Sequence, residues 1–269
     1  MQRLLFLNPR SGTSTPSAAE LRLAAEELGV RVHLLSSGDD LPALAREAGA
    51  DVLGMAGGDG SLGAVAQVAV EQDVPFVPVP FGTRNHFARD VGLDRDDPLG
   101  ALRAFAGGVE RRVDVGYVND RLFLNNVSLG LYARLVHRRE RRRRRREALA
   151  RLRALLLTMR DRRRKQRFTV DGRTMRARLV LVANNDYSLD LLSLGERERL
   201  DEGRLHLYVP HGLRRITWEE RACPQLEIGS PLPRLRAAVD GEPVELETPL
   251  AFRIEPLALR VLLPREPDA

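Results

Sequence analysis

Apolar and polar positions alternate in blocks along the first 110 residues. A short apolar run at residues 3–7 ends at Asn8-Pro9-Arg10-Ser11-Gly12. Ser17 precedes a helical pattern reaching residue 28, and Glu20 stands three positions on, the spacing of a capping box. Gly29 follows; residues 30–35 then read as a strand, 40–48 as a helix and 51–56 as a third strand. That strand runs straight into Gly57-Gly58-Asp59-Gly60-Ser61, after which a helix is predicted over 62–71. Residues 76–79 read as a strand between prolines, and 84–90 and 98–105 as further helices. Strand and helix in alternation predict a parallel sheet covered on both faces.

The pattern changes beyond residue 110. Residues 112–118, 122–127, 168–170, 176–183 and 204–209 read as strands, joined by turns such as Asp171-Gly172 and Asp201-Glu202-Gly203. The tail alternates again at 244–247, 251–254 and 257–263. This half predicts a β-rich second domain, interrupted by a basic helical stretch. The expected boundaries are a first domain over 1–111, a second over 112–248 with a basic insertion at 134–167, and a tail over 249–269.

Composition narrows the class. Apolar residues make up 43% of the 269, enough for a sizeable core and against global disorder. The single cysteine, Cys223, excludes an intramolecular disulfide and fits a reducing compartment. Met1-Gln2-Arg3 is followed by only four apolar residues, too few for the core of a signal peptide, and no apolar run is long enough to span a bilayer. The expected location is cytoplasmic, in solution or against a membrane surface. The net charge of +6 is unevenly placed: residues 134–167 hold 17 Lys+Arg and 3 Asp+Glu, leaving −8 on the remainder. Local basicity of this kind points to an anionic surface as partner. Basic residues near anionic lipid contribute about 1 kcal/mol each. Leu149, Leu152, Leu155, Leu156 and Met159 could dip into the interface or pack on the second domain. A solvated helix or an unstructured insertion reads equally well. The segment lacks aromatic residues for base stacking, which weighs against a specific nucleic acid.

Two loops could carry chemistry. Glycines at the C-terminal end of a strand let main-chain N–H groups approach a phosphate closely, and the following helix adds its positive end. In Gly57–Ser61, Asp59 could face a metal-bound phosphate and Ser61 donate a hydroxyl hydrogen bond. Val79-Pro80-Phe81-Gly82-Thr83-Arg84-Asn85-His86-Phe87-Ala88 also follows a strand and opens a helix. There Gly82 allows close approach, while Thr83 and Asn85 offer short polar side chains to a phosphate or ribose, or simply cap the helix. Two such loops one strand apart would line one crevice.

Asn8-Pro9-Arg10-Ser11-Gly12, the loop at 57–61 and residues 80–88 resemble the nucleotide-binding motifs of the diacylglycerol kinase catalytic-domain family, which includes sphingosine kinases and bacterial lipid kinases, with NAD kinases as distant relatives. Leu200-Asp201-Glu202-Gly203-Arg204-Leu205 resembles the family's metal-site turn, and Val239-Asp240-Gly241-Glu242-Pro243 its Asp-Gly-Glu motif. The resemblance implies a fold of α/β plus all-β class: an NAD kinase-like nucleotide-binding domain, a β-sandwich, a cleft between them, and a tail returning to the first domain. It implies ATP, held by Asn8, Gly57, Gly58, Asp59, Gly60, Ser61, Gly82, Thr83 and Asn85, and Mg²⁺, held by the Glu202 side chain and the carbonyls of Arg199 and Arg204. Glu242 would be the general base on the hydroxyl of diacylglycerol or a related lipid alcohol, since phosphoryl transfer needs positioning and an oriented nucleophile above all.

The chain also departs from that pattern. Ser61 stands where the family commonly has Thr, Gly63-Ala64 where it has Asn-Glu, and His86 where it has Asp. These changes leave the phosphate cradle and remove a carboxamide and two carboxylates. They raise the alternative of a nucleotide- or lipid-binding regulatory protein without turnover; a further alternative, an NAD-kinase-like enzyme on a soluble substrate, is opposed by the basic segment and the Asp-Gly-Glu motif. Asn125, Asn126, Asn184 and Asn185 read as substrate contacts or as caps on buried strand ends. A homodimer is compatible with all of these readings.

Overall fold

The computed structural model describes residues 1–11, 15–130, 165–187, 197–211 and 217–265. The basic segment lies almost entirely outside these residues, as does Gly12. The chain divides into two compact units, Met1–Val115 with Asn185–Gly203 and Glu255–Ala269, and Gly116–Asn184 with Arg204–Ile254.

The first unit follows the predicted alternation: β1 (Arg3–Leu7), α1 (Ala18–Glu27), β2 (Arg31–Leu34), α2 (Leu41–Glu47), β3 (Val52–Gly57), α3 (Asp59–Glu71), β4 (Phe76–Pro80), α4 (His86–Asp90) and α5 (Pro98–Leu102), the last continued by a 3₁₀ turn over Arg103–Ala106. The Ser17–Glu20 capping box opens α1, and the Asp40 side chain caps α2 through the Ala43 N–H. In space the strands run β2-β1-β3-β4, every neighbouring pair parallel. Leu5 and Leu7 face a core with Leu21 and Ala25 of α1 and Leu102 and Phe105 beyond, while Leu4, Phe6, Leu53 and Met55 are as deeply buried on the opposite side. The sheet is therefore covered on both faces, as strands of alternating side-chain direction require when every position is apolar.

The described residues of the second unit form strands and no helix, and the unit begins inside β5 (Val109–Val118). It contains β6 (Arg121–Phe123), β7 (Asn126–Gly130), β8 (Gln166–Val170), β9 (Arg173–Ala177), β10 (Leu179–Asn184), β11 (Leu205–His211), β12 (Thr217–Cys223), β13 (Gln225–Gly229), β14 (Arg234–Val239) and β15 (Glu242–Glu247). The strand β16 (Leu250–Leu263) starts here and ends in the first unit, where Val261 pairs with Phe76 of β4 in parallel. One antiparallel sheet has the order β12-β11-β10-β7-β14-β15. A second layer joins β9, β8, β13 and the start of β16. Their inward side chains, among them Phe123, Val127, Leu129, Phe168, Val182, Leu207, Ile228 and Phe252, form one core. This is a β-sandwich.

Three details differ from the expectation. Residues 122–127 are two strands, broken where Leu124 and Asn125 turn to present their amides to Asp240. The two tail runs at 251–254 and 257–263 are one strand with a kink at Leu257, whose φ is 53°. Residues 185–203 group with the first unit instead of the second, because their anchors, Asp90 and Asp114, lie there.

Candidate functional site

In the sheet register Leu7 lies beside Ala56 and Gly57 beside Pro80, so Asn8, Gly57 and Pro80 form a row along the C-terminal edge of three adjacent strands. The chain leaves β1 toward β2 on one side and returns to β3 on the other. That reversal opens a crevice at the C-terminal ends of β1 and β3, where ligands of open α/β sheets bind. Asn8 begins the first loop: its N–H donates to the Ala56 carbonyl at 3.0 Å, and its side-chain oxygen accepts from the Arg10 N–H at 3.1 Å.

The loops at 57–61 and 82–85 touch. A Cβ on Gly82 would stand 2.6 Å from Gly58 Cα, 3.0 Å from Gly58 N and 2.8 Å from Asn85 Oδ1. Only glycine permits this approach. A Cβ on Gly58, by contrast, would meet nothing within 4 Å, so that side of the loop is open. Gly58 is the N-cap of the 13-residue α3 with no side chain capping it, and its carbonyl accepts from the Ser61 N–H at 3.0 Å.

Asp59 locks the two loops together. Its buried carboxylate accepts from the His86 N–H at 3.3 Å and the Phe87 N–H at 3.1 Å. In this way Asp59 caps α4 from the neighbouring loop. Asn85 sits at the α4 N-cap in the left-handed region (φ 49°, ψ 46°) and caps nothing with its side chain. Its Nδ2 donates to the Gly82 carbonyl at 2.9 Å, and its Oδ1 is buried without a hydrogen-bond partner. A buried acceptor left unmet costs about 1–3 kcal/mol. Ser61 and Gly60 are half-buried at the start of α3, and Thr83 is exposed. Burial pushes the His86 imidazole below its ordinary pKa; Arg89 and Arg84 push the same way, against Asp59 and Asp90. His86 is therefore a neutral group packed at a helix start, with its Nδ1 buried and unpartnered.

The turn with Arg199 and Glu202 belongs to this unit, while Arg204 opens the other. The Glu202 carboxylate accepts from the Asp186 N–H at 3.2 Å, and the Glu202 N–H donates to Asn185 Oδ1 at 3.3 Å. Asp114, fully buried, accepts from Gly203 N–H at 2.7 Å and Leu257 N–H at 2.8 Å. Asp114 and Asp90 were missed in the sequence, where each is a lone carboxylate outside any motif.

In the second unit Asp240 and Gly241, with φ of 47° and 82°, form a two-residue hairpin between Val239 and Glu242. The Asp240 carboxylate gathers the N–H groups of Leu124, Asn125 and Asn126 at 2.8, 2.7 and 3.1 Å. Glu242 is exposed at the start of β15. Asn184 donates to the Leu124 carbonyl at 3.0 Å, so this asparagine satisfies a buried strand end.

Residues 2–118 match the model of the diacylglycerol kinase catalytic domain family. The diacylglycerol kinase of Bacillus subtilis is 32% identical over 142 residues, 49% of this chain and 47% of that one. The diacylglycerol kinase of Mycobacterium tuberculosis is 32% identical over 120 residues, 42% and 39% of the respective chains. The chain thus spans about half the length of the curated relatives it matches, or less. The fold extends further: the crystal structure of a diacylglycerol kinase from Bacillus anthracis superposes with a TM-score of 0.70, covering 97% of this chain and 96% of that one at 18% identity. None of the described helices is long and apolar enough to cross a membrane.

Proposed function

We propose that the protein is an ATP-dependent lipid kinase that phosphorylates the hydroxyl of diacylglycerol or a related lipid alcohol. The observation that carries this reading is the contact of Gly82 with Gly58, braced by Asp59, beside the open face of Gly58. The site fits a nucleotide on two counts. The open face of Gly58 admits a phosphate to the main chain, and Asn85 Oδ1 awaits a donor such as a ribose hydroxyl or an amino group. Asn8, Gly57–Ser61, Gly82, Thr83 and Asn85 would hold the nucleotide. Mg²⁺ would be held by hard oxygen ligands, the Glu202 carboxylate with the Arg199 and Arg204 carbonyls, and would supply positive charge that steadies the turn and the phosphates. Glu242 would take the proton from the lipid hydroxyl. Residues 134–167, with 17 basic side chains against 3 acidic, would keep the enzyme on the cytoplasmic face of an anionic membrane.

The test is incubation with Mg²⁺, ATP and a panel of lipid alcohols, with products identified by mass. A phosphorylated lipid is expected, and Glu242→Gln should abolish its formation while ATP still binds. Unchanged turnover in Glu242→Gln would remove that residue as base. A second reading, nucleotide binding without turnover, is favoured by one observation: residues 57–61 and 80–88 hold a single carboxylate, Asp59, and it is engaged with main-chain amides. ATP binding with no product on any lipid would establish that reading.

A further inference from the structure

The helix α4 that presents Asn85 is five residues long, about 7.5 Å at the usual rise, and so short a helix has little stability of its own. Phe87 and Ala88 bury its middle in the core, and side chains from other parts of the chain hold its two ends. Asp59 holds the first end through the His86 and Phe87 amides. The last residue, Asp90, is held from a different part of the chain. Arg197 Nε meets Asp90 Oδ2 at 2.8 Å, with side chains 0% and 1% exposed. The same guanidinium lies over the Tyr187 ring, 5.5 Å from its centroid. Arg89 closes the other carboxylate oxygen from outside, with Nε at 3.0 Å and Nη2 at 2.7 Å.

A buried ion pair is a poor device for stability alone, because desolvation offsets most of the attraction and apolar residues of similar size serve as well or better. A planar guanidinium in a fixed fork is a good device for direction. We propose that Arg197 is a positioning residue for the nucleotide loop: by pinning Asp90 it fixes the axis of α4 and thereby the place of Asn85 and its unmatched Oδ1. Without that pin α4 pivots about Asp59, and Asn85, about one and a half helical turns from Asp90, is displaced. The proposal rests on the nucleotide reading of the loops.

The experiment compares wild-type protein, Arg197→Lys and the double variant Asp90→Leu/Arg197→Met. The double variant replaces the pair by apolar groups and keeps the melting temperature close to wild type; Arg197→Lys keeps the charge and loses the fork. The affinity for ATP, read with a fluorescent ATP analogue, falls about tenfold or more in the double variant and less in Arg197→Lys. In turnover the KM for ATP rises while the KM for the lipid is unchanged, a split that general loosening of the fold does not produce. Wild-type ATP affinity in either folded variant overturns the proposal. A wild-type protein that binds no ATP overturns instead the nucleotide reading beneath it.

Discussion

Gly82→Ala and Gly58→Ala, taken as a pair, separate loop geometry from ligand contact. The Cβ that Gly82→Ala adds would sit 2.6 Å from Gly58 Cα, against an ordinary carbon–carbon contact of about 3.5–4.0 Å. The two loops must therefore part by about 1 Å. Forced overpacking costs about 1–3 kcal/mol. At about 1.4 kcal/mol per decade, a cost of that size carried by the binding geometry weakens ATP between about fivefold and a hundredfold. Gly58→Ala behaves differently. Its backbone is extended (φ −88°, ψ 172°), and its Cβ meets nothing, so the melting temperature stays at the wild-type value. A phosphate resting on the loop amides would meet that methyl group, and ATP affinity falls all the same. The assay is titration of each variant with a fluorescent ATP analogue beside a thermal melt. Undiminished ATP affinity in Gly58→Ala refutes the phosphate approach to this loop. Undiminished affinity in Gly82→Ala refutes the claim that the contact of the loops sets the site.

Three more expectations concern the supports of the two units. Asp240→Ala strips the shared acceptor from three main-chain N–H groups, and stability to urea should fall by about 3 kcal/mol, at the upper end of the usual cost for lost buried hydrogen bonds; a midpoint unchanged from wild type would contradict this. Asp114→Ala frees the Gly203 and Leu257 amides and should loosen the turn at 200–203, read as faster hydrogen exchange there while exchange in β7 and β14 is unaffected. His86 is depressed in the folded state, so the unfolded chain binds its proton first as pH falls. Its contribution to stability is intact above the ordinary histidine pKa and is lost on acidification below it. His86→Phe should flatten the stability profile below the ordinary histidine pKa of about 6.5; an identical profile in the variant would dismiss His86 as its source.

What the sequence determined by itself is local. Ser17 with Glu20 acts on amides only a few bonds away, so residue type and spacing are enough to place the cap. The apolar runs likewise determined a parallel sheet followed by a β-rich unit, because burial on two faces or on one leaves different periodicities. The tertiary structure decided every carboxylate that acts at a distance. Asp59 finds its amides 27 and 28 residues on, Asp90 its arginine 107 on, Asp114 its turn 89 on, and Asp240 its amides more than 110 residues back. A carboxylate has no preferred partner along the chain. Only the folded backbone, by gathering N–H groups that water can no longer reach, determines which of them it must serve.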